Sequence, residues 1–105
     1  MTRARIIALL VLGSLAACAR NVPPQASILD SERSSVALAE LQQGRKLLVR
    51  KCGSCHQTPL PKAHTAAEWP SKLDEMSARA SLDAYQRHMI EQYLVVMTES
   101  SPAKH

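Results

Sequence analysis

The part of this chain that can fold, residues 36–97, has one tryptophan, two tyrosines and no phenylalanine with which to fill a centre. A stretch of about sixty residues gains little burial per residue, and domains of that size usually need a staple: a disulfide, a metal or a bound group. Something besides aromatic side chains must complete the core.

The remaining residues are not core material. Arg3 and Arg5 precede an unbroken apolar run over residues 6–12, followed by small residues around Ser14, Ala16 and Ala17, the order of a secretory signal. The run is far short of the roughly 20 residues a membrane-spanning helix needs. Leu15-Ala16-Ala17-Cys18 resembles the lipobox of bacterial lipoprotein precursors, which implies cleavage ahead of Cys18 and a diacylglycerol on its sulfur. The expected divisions are a signal peptide over residues 1–17, a lipidated N-terminus and flexible linker over 18–35, a domain over 36–98 and a disordered tail over 99–105. Pro23-Pro24 and the serines at 31, 34 and 35 favour extended or irregular backbone in the linker. If flexible, roughly 17 residues span on the order of 20 to 25 Å. Loss of Arg3 and Arg5 takes the 13 Lys and Arg to 11 against 9 Asp and Glu, a net of +2. Such a balance does not suggest nucleic acid, whose partners usually carry a clustered basic face.

Within the domain, apolar or small residues at 37, 41, 44, 48 and 52 predict a helix with one buried stripe. Gly44 costs that helix roughly 1 kcal/mol against Ala, tolerable where another helix must approach closely. Residues 57–64, with Pro59 and Pro61, read as irregular loop. Trp69, Leu73 and Met76 share one face of a second helix. Thr65 and Glu68 have capping-box spacing, but a helix capped at Thr65 would place Pro70 inside it, so a start near Trp69 is expected. Ser81 is read as the N-cap of a third helix with Asp83 in its first turn. Its stripe is Leu82, Tyr85, Met89, Tyr93 and Val96, flanked by Ile90, Leu94 and Met97.

Between the first helix and the loop stands Cys52-Gly53-Ser54-Cys55-His56, the attachment signature for c-type haem. Residues i and i+3 lie on one side of a helical turn, so two sulfurs can reach the two vinyl groups of one porphyrin, and the next residue brings an imidazole under the iron. A thioredoxin-like dithiol would need strands that this chain lacks, and a zinc site would need a second ligand pair. With Cys18 modified and Cys52 and Cys55 attached to haem, no thiol is left over in an oxidising compartment. One covalent haem c would also supply the missing apolar surface.

Gly44-x-x-Leu47 before the motif, residues 69–76 after it, and Leu82 with Ile90-x-x-Tyr93-Leu94 near the end together resemble a small class I cytochrome c over roughly residues 41–97. The resemblance implies an all-α fold of about three helices around one haem, with the first and last helices crossing so that Gly44 lies against Tyr93. It implies that Met76 is the second axial ligand opposite His56. His64 is the other candidate, giving a bis-histidine site. Met89 and Met97 are expected to pack, and His88 and His105 to be solvated. Trp69 has two open roles, an indole N–H aimed at a haem propionate or the burial of a large ring. The free nitrogen of His56 needs an acceptor, for which the loop at 59–61 is nearest.

The expected function is one-electron transfer without substrate chemistry, hence not enzymatic, on a lipid-anchored bacterial membrane facing the periplasm. Expected partners are redox proteins, with the chain a monomer or a subunit of a respiratory-type complex. The alternatives are an accessory haem subunit of a dehydrogenase or reductase, or an open-site sensor or peroxidase if Met76 does not bind iron.

Overall fold

The computed structural model describes residues 22–53 and 58–100. Those residues form four α-helices, α1 (Ile28–Ser34), α2 (Leu38–Cys52), α3 (Trp69–Ala80) and α4 (Ala84–Ser100), with a short 3-10 turn at Pro61–Ala63 and no strand. The domain is therefore all-α among its described residues, and the three helices expected from periodicity are all present.

Helix α2 buries Leu41, Gly44, Leu47, Leu48 and Cys52, the expected stripe, while Ala37 sits exposed ahead of its first turn. Its main partner is α4. The two helices meet where Gly44 has no side chain: a Cβ there would run into the carbonyl of Met89 and come within 2.8 Å of the Tyr93 Cβ. Hydrogen is the only substituent that lets the backbones approach so closely. Leu41 and Leu48 of α2, Ile90, Tyr93 and Leu94 of α4, and Trp69 and Leu73 of α3 are fully enclosed in the core.

Helix α3 begins at Trp69 with Pro70 in its first turn, where the missing N–H would have had no intrahelical partner. The Thr65 and Glu68 pair still makes both capping bonds, Thr65 N–H to Glu68 Oε1 at 2.9 Å and Glu68 N–H to Thr65 Oγ1 at 3.3 Å. The capping signal is thus satisfied by a turn preceding the helix. The Thr65 N–H foremost, and the Thr65 side chain after it, hold the Glu68 carboxyl below its usual range.

Four expectations need correction. Ser81 does not cap α4. It ends α3 in the left-handed region at φ 56°, its N–H bonded to the Ser77 carbonyl, a geometry unlike the extended backbone of an N-cap. Asp83 does the capping: its Oδ1 accepts from Gln86 N–H at 2.7 Å, and Gln86 Oε1 accepts from Asp83 N–H at 3.1 Å. Tyr85 leaves the stripe and is 59% exposed, because it lies in the first turn of α4, a full turn before the crossing at Met89. The helix also continues through Glu99 and Ser100, into the region expected to be tail.

The fourth correction is the largest. The stretch read as flexible linker is ordered from Val22 onward and carries α1, with Ser27 as N-cap. Asp30 N–H donates to Ser27 Oγ at 3.3 Å, and Ser27 N–H donates back to Asp30 Oδ2 at 2.8 Å. Ahead of α1 the chain forms a strap over the α2–α4 crossing. Arg45 Nε–H donates to the Pro23 carbonyl at 2.9 Å, and the Tyr93 hydroxyl donates to the Pro24 carbonyl at 2.5 Å. Pro23 and Ala26 of the strap are buried. Among the described residues no helix is long and apolar enough to cross a membrane.

Candidate functional site

The first cysteine of the motif is the last residue of α2 and is buried, 5% exposed. Packing of α2 on α4 therefore fixes its position. Gly53 follows as the C-cap, its N–H bonded to the Val49 carbonyl at 3.2 Å. A Cβ on Gly53 would lie 2.6 Å from that carbonyl oxygen and 2.7 Å from Thr58 Oγ1. The chain thus leaves α2 at Gly53 and is back beside it at Thr58. A side chain on Gly53 would collide with the Val49 carbonyl of the helix's own last turn, so glycine suits the point where the chain leaves α2. Cys55 and His56 lie outside the described residues, as do Cys18 and His105.

Met76 lies on α3, half-buried, packed at the edge of the core cluster one turn beyond the fully buried Leu73. The described residues thus include one of the two cysteines expected to carry the attachment, Cys52, and Met76, expected as an iron ligand. Met89 and Met97 are each 6% exposed within the core, consistent with packing. His88 is exposed.

Trp69 sits at the base of α3 with its indole enclosed, and its N–H is shared between the Pro61 carbonyl at 2.9 Å and Thr98 Oγ1 at 3.0 Å. The Thr98 hydroxyl lies 2.6 Å from both the Pro61 and Leu94 carbonyls. Three segments, the 3-10 turn, α3 and α4, are joined through this one buried polar cluster. Of the two roles open for Trp69, burial of the ring with a satisfied N–H is the one observed. His64, half-buried, stands edge-on to the indole at 4.9 Å between centroids and 89° between planes.

Thr98 and the Pro61 carbonyl are the residues missed by sequence reasoning. The available signal was Thr98 at four residues past Leu94, continuing a buried row and able to meet the one indole N–H in the chain.

Tyr93 and Asp30 are the buried ionisable groups with perturbed equilibria. Burial pushes the Tyr93 phenol well above its ordinary value, against the opposing effect of the Arg45 cation. Burial also disfavours the Asp30 carboxylate, but bonds from Ser27, Ser100 and Arg33 together outweigh it and hold the group below the usual carboxylate range. Arg33 lies 2.8 Å from Asp30.

No protein-family model matches this chain, and neither the curated proteins nor the solved structures contain a match to it.

Proposed function

We propose that the protein is a monohaem c-type cytochrome, a one-electron carrier held at the periplasmic side of a bacterial membrane by a lipid on Cys18. The supporting observation is the close crossing of α2 and α4 at Gly44 and Tyr93, the pair named by the resemblance, with Cys52 buried at the end of the same helix.

The donor set fits the group in kind: two thiols at Cys-x-x-Cys spacing, the adjacent imidazole and a thioether on a separate helix. Cys52 and Cys55 would hold haem c, with His56 and Met76 as axial ligands. When bound, that group supplies a one-electron couple whose potential a His/Met pair raises. The chain's own residues supply rigidity. The α2–α4 crossing fixes the attachment point, and the Trp69 cluster anchors the start of the helix that carries Met76. In the loop after the motif, the Leu60 carbonyl accepts from Ala63 and the Pro61 carbonyl from Trp69 and Thr98. The loop at 59–61 would supply the carbonyl for the second nitrogen of His56, which would set the imidazole's orientation.

A free shuttle and a subunit of a respiratory-type complex would both use redox-protein partners, and neither breaks a substrate bond. The attachment is tested by denaturing and acid-extracting protein matured in a host able to make cytochromes c: colour should remain with the polypeptide, and its loss to the solvent would overturn the assignment. The sixth ligand is tested by the near-infrared iron-to-methionine band of the oxidised protein, which Met76→Ala should abolish and Met89→Ala should leave in place. Absence of that band from the parent protein would instead favour His64 as the ligand or an open-site haem.

A further inference from the structure

A groove among the described residues is not used by the electron-carrier reading. It has a volume of about 400 Å³ and lies between the N-terminal strap and the outer side of α2, lined by Val22, Pro23, Arg45, Lys46, Val49, Arg50 and Thr58. Positions 45 and 49, and 46 and 50, form two adjacent rows one turn apart on the helix, opposite the row that packs on α4. Its charged groups are all cations. None of the three makes an ion pair with a carboxylate among the described residues, whose ion pairs join Arg33 to Asp30 and Arg87 to Asp74 and Glu91. Lys46 and Arg50 are exposed, and two of the apolar walls are open to solvent, Val22 at 55% and Val49 at 42%. For a mature chain of net charge near +2, this is a concentrated positive face with apolar side chains among the charges.

The groove also lies at the front of the chain. Only residues 19–21 separate Cys18 from Val22, so their Cα atoms can be no more than about 14 Å apart even when that stretch is fully extended. One of the three is Arg20, a further cation. A diacylglycerol on Cys18 would therefore confine Val22 and the adjoining groove close to the headgroups of the bilayer that it enters. Anionic phosphodiester headgroups complement the three cations, and the glycerol and upper acyl region complements Val22 and Val49.

We propose that this face, formed by the strap and the outer rows of α2, docks on the anionic lipid surface of the membrane to which the chain is tethered. The proposal rests on the lipidation of Cys18. It replaces a domain swinging on a long tether with one seated on the bilayer by its α2 face. Arg45 is already held by the Pro23 carbonyl, so one of the three cations is preorganised by the strap.

The experiment uses residues 18–105 exported behind a leader cleaved ahead of residue 18, with Cys18→Ser so that no lipid masks weaker adsorption. Partition is measured on phosphatidylcholine vesicles with and without phosphatidylglycerol, at low and high salt. The expected result is binding that requires phosphatidylglycerol and weakens with salt, falls at least tenfold in Lys46→Glu/Arg50→Glu, and changes less than twofold in Lys62→Glu/Arg79→Glu, which carries the same charge change at exposed positions outside the groove. Circular dichroism of each variant checks that the helices remain. Three results would overturn the proposal: equal weak binding to both vesicle types, as expected if the groove serves an acidic protein partner; unchanged binding by the groove variant; or equal losses in the two variants, which would reflect net charge alone. Lipidation is read separately from the mass of the native mature protein, so failure of the anchor and failure of the docking face give different results.

Discussion

Two joints hold the described core together, and they work by opposite means. At the α2–α4 crossing, closure comes from a missing side chain, Gly44 admitting the Met89 carbonyl and Tyr93. At the other end, where the 3-10 turn and α3 meet α4, closure comes from a large side chain whose one polar atom is satisfied by Pro61 and Thr98. The first joint sets how closely two backbones approach. The second sets where three segments end. A packed interior punishes added volume at the first joint and lost volume at the second.

Substitutions should separate the two. Trp69→Ala removes a fully buried ring and takes the indole donor away from Thr98 Oγ1 and the Pro61 carbonyl, and a loss of about 3 to 5 kcal/mol is expected in denaturant unfolding. Trp69→Phe, which retains most of the volume but no N–H, should recover a large part of it. Gly44→Ala should cost about 1 to 3 kcal/mol by overpacking, despite Ala being the better helix former. If Gly44→Ala is instead neutral or stabilising, the crossing is looser than described and the contrast between the joints fails. Tyr93→Phe keeps the crossing but removes the bond to Pro24, for a loss of about 1 kcal/mol. Its particular sign should be faster amide exchange at Ala26 and Ser27 with α3 unchanged.

The smallest effect is the pH dependence contributed by Asp30. Its folded-state pKa is lowered, so its contribution is fully present above the unfolded value near 3.8 and is lost as pH falls through the lower folded value. Asp30→Asn should therefore flatten the acid limb of a stability profile by lowering its neutral plateau, where the carboxylate's contribution is fully present. A mutant whose acid limb matches the parent's would remove Asp30 from that account.

The helices that face one another across the core were legible because their apolar residues recur at helical spacing, and the start of α3 was legible because Pro70 excludes the other register. The approach of Gly44 to Tyr93 could be anticipated because a glycine inside a helix needs a reason. The strap was not legible, and the physical cause is specific. It is held by the carbonyls of Pro23 and Pro24, groups that every residue carries and that leave no mark in a side-chain pattern. A signal for α1 did exist in Ser27-x-x-Asp30, a capping-box spacing masked by the prolines before it. Similarly, Asp83-x-x-Gln86 marked the start of α4 more accurately than Ser81, whose position immediately after α3 committed it to ending that helix. Within the candidate site, the Cys-x-x-Cys-His motif was legible as a motif. The return of the chain at Thr58 was not, since a contact across a loop has no periodicity.

The Tyr93 to Pro24 bond joins residues 69 positions apart. Any pull applied at the front of the chain therefore enters the body at the crossing, through Arg45 of α2 and then Tyr93 of α4, well before the end of α2 where Cys52 lies. The strap acts as strain relief: tension on the chain ahead of it loads the α2–α4 crossing and not the helix end that carries Cys52.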